Sequence, residues 1–196
     1  DRPREGAEVP SFADWGTQVV EAMSGIEPST RGSYRGYLTQ RLIPAFGHLR
    51  VNELQAVHIG AWINELQREG RKPKTIANFH GLLFQIMEAA VRHEPPLRLS
   101  NPCKDTRLPR RDTGDEVHDE MVFLTYPQYQ LIRSCAPESA RNMLDVAVGT
   151  GLRFAELTGL QVGDVDVLAK PHPVLRVRRA WKTDERGRRA RLGPPK

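Results

Sequence analysis

Apolar residues recur at helical spacing through the first hundred positions of the chain. Phe12, Trp15, Val19, Ala22 and Met23 form one stripe, the three-to-four-residue period of a helix with one buried face. Ser11 and Asp14 stand as a capping box with Asp in place of the usual Glu, and Gly25 ends the segment. Pro28 and Ser29 open a second helix predicted to run to about Ile43, with Tyr34, Leu38, Leu42 and Ile43 inward and Thr30, Arg31, Arg35 and Arg41 outward. Pro44 is expected to stop it. Residues 45–54 turn at Gly47 and carry Phe46, Leu49 and Val51. A third helix follows over about 55–68, with Val57, Ile59, Trp62, Ile63 and Leu66, and Gly70 closes it. The basic turn Arg71-Lys72-Pro73-Lys74-Thr75 leads into a fourth helix reaching about His93 and burying Ile76, Phe79, Leu83, Ile86, Met87 and Val91. Four helices with short connections predict a bundle around one core.

The period then breaks. Pro95, Pro96, Asn101, Pro102 and Pro109 interrupt it, and residues 100–120 are polar, with Arg107, Arg110 and Arg111 among them. This stretch is expected to be an interdomain linker. Thr125 and Gln128 frame a second capping box with Pro127 in the first turn, followed by Tyr129, Leu131 and Ile132. Pro137 opens a helix whose inward face is predicted to hold Met143, Leu144, Ala147 and Val148, and Gly149 and Gly151 end it. Beyond residue 164 the period shortens to two. Val165 and Val167 read as a short strand. Val174 to Trp181 reads as a second strand, with Arg176 and Arg178 on one face and Arg179 on the other; Asp184 to Gly187 is a turn and Arg188 to Leu192 a returning strand. The division expected is a leader at 1–10, a helical domain at 11–99, a linker at 100–120 and a second domain at 121–196.

Composition narrows the function. At 39% apolar and 27% charged the chain is globular. The net charge of +5 and pI near 9.5 favour a polyanionic partner. From residue 170 onward ten basic side chains stand against Asp184 and Glu185. Cys103 and Cys135 are too few for a disulfide framework and lack metal-ligand spacing; both are expected to be free thiols, with Cys135 inert on an apolar helix face. His172, among prolines, makes no metal site, and Trp15 and Trp62 are expected in the core. No apolar run approaches the length of a membrane span. A cytoplasmic, nucleoid-associated protein is expected, and a first residue other than Met suggests a piece of a longer polypeptide.

The most informative stretch is G-T-G-L-R-F-A-E-L-T-G-L-Q-V-G-D, from Gly149 to Asp164. Its single arginine, Arg153, is set among apolar residues at a helix start, and its planar fork suits a phosphate. A short core helix with one structural ion pair would carry the same residues. The spacing of Gly149, Gly151, Leu152, Arg153, Glu156, Leu157, Leu160 and Asp164 resembles the first catalytic-arginine box of the tyrosine recombinase (phage integrase) family. The order of elements on both sides is similar to that family's layout.

The resemblance implies a mainly α protein: a four-helix, SAM-like core-binding bundle followed by part of an α+β catalytic domain with a small antiparallel hairpin. It implies a tyrosine that attacks a DNA phosphate and forms a 3′-phosphotyrosyl link, with no cofactor and no metal. Arg153 matches the first arginine that neutralises the phosphate, and Glu156 the acidic position expected to orient it. The family's general-acid lysine has two candidates, Lys182 in Trp181-Lys182-Thr183 and Lys196 in Gly193-Pro194-Pro195-Lys196; Lys196 is preferred. Expected DNA contacts are Thr30, Arg31 and Arg35 on one helix start, Lys72, Lys74, Thr75 and Asn78 on another, and Arg176 and Arg178 on the strand. Partners implied are duplex DNA carrying attachment or core-type sites and, for the full-length protein, a homotetramer.

The chain also departs from the family. None of its six histidines has an arginine three residues on, and its tyrosines, 34, 37, 126 and 129, all precede Arg153. The chain alone is therefore expected not to cleave DNA, the simplest explanation being truncation after Lys196. The alternatives are a non-catalytic DNA-binding protein derived from an integrase, or a helical interaction module with no DNA role.

Overall fold

The computed structural model describes residues 9–110 and 123–195. The chain divides into two compact units, Asp1–Asp115 and Glu116–Lys196. Among the described residues the secondary structure is mainly helical, with two small two-stranded antiparallel sheets, both in the second unit. No helix among them is long and apolar enough to cross a membrane.

The first unit is a helical bundle. Helix α1 (Phe12–Ala22) starts where Ser11 Oγ accepts from the Asp14 amide at 3.1 Å and donates to Asp14 Oδ2 at 2.6 Å. Helix α2 (Pro28–Tyr37) does not end at Pro44. The backbone widens into a π turn over Leu38–Leu42, with the Ile43 amide reaching back five residues to Leu38, and then resumes as α3 (Ile43–Phe46). A proline ring clashes with the carbonyl four residues earlier in a regular helix; the wider turn removes that clash and lets the helical path continue through Pro44.

Helices α4 (Ala56–Arg68) and α5 (Pro73–Arg92) complete the bundle. Phe12, Leu42, Leu54, Ile59, Leu66, Ile76, Leu83, Ile86 and Met87 are fully buried between them. Trp15 and Trp62 are buried too; the Trp15 Nε1 donates to the Ile86 carbonyl and Trp62 packs edge-on against Phe46. Two residues expected on inward faces, Ala22 and Val57, are exposed. Val57 is exposed because it lies two residues, some 200° of helix, from Ile59 on the opposite face of α4.

The expected linker is in part a piece of this unit. Residues 102–105 form a short 3₁₀ turn against α4 and α5, with Asn101 and Cys103 buried. The Asn101 amide donates to the Phe84 carbonyl and to Glu88 Oε2, both at 3.0 Å. The Arg98 guanidinium donates to the carbonyls of Val51 and Leu54 at 2.9 Å. The Thr106 hydroxyl donates to the Cys103 carbonyl and so accepts from His80 Nε2, and burial holds the His80 imidazole below its usual pKa. These partners satisfy buried polar groups that a solvated tether would leave to water. The remainder of the expected linker, 111–120, lies outside the described residues.

Burial pushes the Cys103 thiol up to about 12, whereas Cys135 is exposed at the end of a helix of the second unit rather than buried on an apolar face. In the native chain a thiolate-directed reagent is therefore expected to modify Cys135 alone, with Cys103 reacting only in denaturant, as mass spectrometry of the labelled protein would show. Two labels on the native chain would reject this packing.

In the second unit, helix α6 (Tyr126–Cys135) begins at the Thr125–Gln128 capping box and α7 (Glu138–Thr150) follows. They are joined through Asp145, which takes Arg133 at 2.7 and 2.9 Å and the Tyr129 hydroxyl. These two partners hold the Asp145 carboxyl down at about 2. A one-turn helix α8 (Phe154–Leu157) follows. Strands β1 (Val165–Asp166) and β2 (Val174–Leu175) pair, as do β3 (Ala180–Thr183) and β4 (Arg189–Gly193). The expected single strand from Val174 to Trp181 is thus two, in different sheets. The apolar faces expected on α6 and α7 are open: Leu131, Ile132, Met143 and Val148 are exposed, and Tyr129 and Ala180 are the buried apolar residues among those described in this unit.

Candidate phosphate-binding site at the arginine box

Helix α7 ends because Gly151 takes a left-handed conformation, φ 66°, with its amide bonded to the Ala147 carbonyl. A side chain there would be strained. The turn delivers Arg153 to the N-cap of α8. Glu156, one turn in, uses both carboxylate oxygens on it: Oε2 accepts the Arg153 backbone amide at 3.0 Å and Oε1 accepts Nη1 at 3.3 Å. The Glu156 side chain is 11% exposed, that of Arg153 74%. The acid is the anchored member. The guanidinium stands in the open, tethered at one nitrogen, with the rest of its fork turned to no protein acceptor among the described residues. It does not sit in an apolar pocket, as its neighbours in sequence had suggested.

A second acid, Asp164, is almost wholly buried at the end of a 3₁₀ turn. Its carboxylate accepts the Gln161 amide at 2.9 Å and Arg179 Nη2 at 3.1 Å, and its carbonyl accepts the Arg176 amide at 2.8 Å. Residues 176–179 run between the two sheets, tied to Asp164 through the Arg176 amide and the Arg179 side chain. Arg176 and Arg178 therefore lie on a connecting segment, both exposed, while Arg179 turns inward; Arg176 reaches Asp166 at 3.5 Å. The β3–β4 hairpin packs on α8. Trp181 Nε1 donates to the Thr158 carbonyl at 3.1 Å, and a Cβ on Gly159 would lie 3.2 Å from the Arg179 carbonyl. A larger residue at 159 would require the two segments to move apart by a few tenths of an ångström. Lys182, in β3, is half-buried and paired across the hairpin with Arg191. Lys196 lies outside the described residues.

The expected contacts in the bundle are divided. Thr30 and Asn78 line one groove of about 390 Å³ between α2 and α5, with Ser33, Tyr34, Tyr37 and Gln85. Lys72 is the N-cap of α5, with Lys74 and Thr75 in its first turn. Arg31, by contrast, is turned away from solvent. Its guanidinium donates to the carbonyls of Val20, Glu21 and Met23, capping the end of α1. Those carbonyls have no partner within their own helix, and one half-buried arginine meets three at once. Arg35 forms a two-point pair with Glu21 at 2.7 and 2.5 Å, and this cation holds the Glu21 carboxyl below its usual value. Nothing in the periodicity singles out Arg31 from Arg35, since both are simply on the polar face of α2. Among the described residues no three His, Cys, Asp or Glu side chains group as metal ligands.

Residues 21–67, from the end of α1 through α4, match the family model described as the phage integrase N-terminal SAM-like domain. A tyrosine recombinase XerC-like protein of Caldanaerobacter subterraneus subsp. tengcongensis is 27% identical over 164 residues, which cover 81% of this chain and 40% of that protein. A prophage phiRv2 integrase of Mycobacterium tuberculosis is 28% identical over 156 residues, covering 80% of this chain and 39% of that protein. The chain thus spans less than half the length of these relatives. Among solved structures, the Tn1549 transposon integrase, determined in complex with circular intermediate DNA, matches 94% of this chain and 59% of its own with a TM-score of 0.72 at 19% identity, a likeness of fold. The arginine box, the helical bundle ahead of it and these relatives agree in one likeness, that of the chain to the tyrosine recombinases.

Proposed function

We propose that this chain is the DNA-grasping portion, together with the first corner of the active site, of an enzyme that recombines DNA at specific sites. The observation that carries it is Arg153, aimed by the buried Glu156 with most of its fork open, in a motif at the family's spacing. Strand cleavage by a tyrosine puts charge on the non-bridging oxygens of the scissile phosphate. A prealigned guanidinium neutralises that charge without a metal. The leaving 5′-oxygen takes a proton from a lysine, Lys196 or Lys182, and the bond energy is kept in the 3′-phosphotyrosyl link for rejoining. The attacking tyrosine is not among these 196 residues, because every tyrosine precedes the box.

The remaining contacts are assigned to duplex DNA. Thr30 and Asn78 offer neutral hydrogen-bonding groups, and Arg35 a cation shared with Glu21. Lys72, Lys74 and Thr75 offer the start of α5, and Arg176 and Arg178 two exposed cations. Arg31 is withdrawn from this set by its role at the end of α1. The assembly in the whole protein is taken to be a tetramer on paired attachment or core-type sites, associated with the nucleoid.

The test is salt dependence. With six to ten phosphates neutralised, the affinity of the chain for a duplex is expected to fall about 10³–10⁵-fold between 50 and 200 mM salt, read by fluorescence anisotropy. A flat response rejects DNA binding. A second reading is a DNA-binding relative without chemistry. A covalent DNA adduct formed by a polypeptide that continues past residue 196 would exclude it.

A further inference from the structure

The β3–β4 hairpin carries a register shift. Lys182 pairs with Arg191, but the next pair is Thr183 with Arg189. One extra residue on β4 moves everything before it to the other face of the hairpin. Without the shift Arg189 would share a face with Lys182; with it, Arg189 shares the face of Trp181, which lies on α8. There its guanidinium carbon stands 5.0 Å from the Trp181 ring centroid and 5.8 Å from that of Phe154, the residue next to Arg153. One nitrogen makes a long hydrogen bond, 3.4 Å, to the Thr158 hydroxyl.

The two ring contacts hold the guanidinium against aromatic carbon, which leaves its charge uncompensated. Arg153 has Glu156, Arg176 has Asp166, Arg179 has Asp164 and Arg188 has Asp184. No carboxylate pairs with Arg189 among the described residues. A cation–π stack holds a guanidinium by its faces and leaves its N–H edge available in the plane. That edge has the geometry for two oxygens of one phosphate.

We propose that Arg189 is a phosphate-binding residue, gripping a DNA backbone phosphate beside the one assigned to Arg153; this rests on the DNA-binding reading above. The bulge is what aims it, and Phe154 and Trp181 are its supports.

The experiment uses the whole chain and two unrelated duplexes of roughly 20 base pairs, about two helical turns, with affinity measured across a salt series. Arg189→Gln is expected to bind both duplexes more weakly at every salt concentration. The slope of log affinity against log salt should fall by about 1, the loss of one phosphate contact. Arg189→Lys should restore the slope, since a charge at that position suffices for counterion release. Arg188→Gln, whose partner is Asp184, should behave as the parent. A parent slope retained in Arg189→Gln overturns the assignment and leaves DNA binding standing. An equal fall in Arg188→Gln, or a loss that Arg189→Lys does not restore, overturns it too, the first as unselective charge and the second as collapse of the stack. Failure of the parent chain to bind either duplex overturns the DNA reading, and this assignment with it.

Discussion

Arg153→Ala is expected to slow strand cleavage by about 10²–10³-fold, about 2.7–4 kcal/mol of transition-state stabilisation, in a polypeptide that also carries the attacking tyrosine. Binding of the duplex should change little, since one phosphate contact among many is lost. The split follows from the geometry. Arg153 is mostly solvent-exposed, so its removal opens no cavity, and Glu156 Oε2 keeps the backbone amide at residue 153. What disappears is a cation aimed at charge that exists only in the transition state. Arg153→Lys should recover only part of the rate, because a single ammonium does not reproduce the planar fork. Single-turnover accumulation of the covalent adduct, set against anisotropy for binding, separates the two effects. Cleavage within tenfold of the parent would remove Arg153 from the active site.

The largest structural effect is expected at Asp164. Asp164→Ala strands the Arg179 guanidinium, which already has one buried nitrogen, Nη1, without a partner. Removing one member of such a buried pair costs about 3–5 kcal/mol; with Arg179 22% exposed, the lower end is expected. The Gln161 amide also loses its acceptor. The effect should be local. Hydrogen exchange of amides over 161–193 is expected to accelerate by about two orders of magnitude, the equivalent of that lower figure. Amides of α4 and α5 should keep their protection. Unchanged exchange over 161–193 would show that the knot around Asp164 does not hold the hairpin.

The features legible in the sequence are those written at short range. Ser11 with Asp14, Thr125 with Gln128 and the stripes on α4 and α5 place helices to within a residue or two, because caps and amphipathic periods involve neighbours along the chain. The arginine box is legible for the same reason: Arg153 and Glu156 are three apart. What escapes depends on distant partners. Arg31 and Arg35 look alike on α2 until the carbonyls at the end of α1 take one and Glu21 takes the other. Residues 100–106 read as a tether because the acceptors for Asn101 and the donor for Thr106 lie on α5, far back in sequence. The run Val174–Trp181 reads as one strand because nothing local announces that Asp164 will claim Arg176 and Arg179. The aim of Arg189 depends on a one-residue slip across the hairpin, and alternation alone would put it on the wrong face.

The uneven burial of apolar side chains has a calorimetric consequence. Exposure of apolar surface raises the heat capacity on unfolding and exposure of polar surface lowers it. Nearly all the buried apolar residues among those described lie in the first unit. Its unfolding therefore carries most of the heat-capacity increment of the chain and a strongly curved stability profile. The second unit, held by Asp145, Glu156 and Asp164 with their arginines, contributes little to that increment. Its own stability should vary gently with temperature and respond to salt instead.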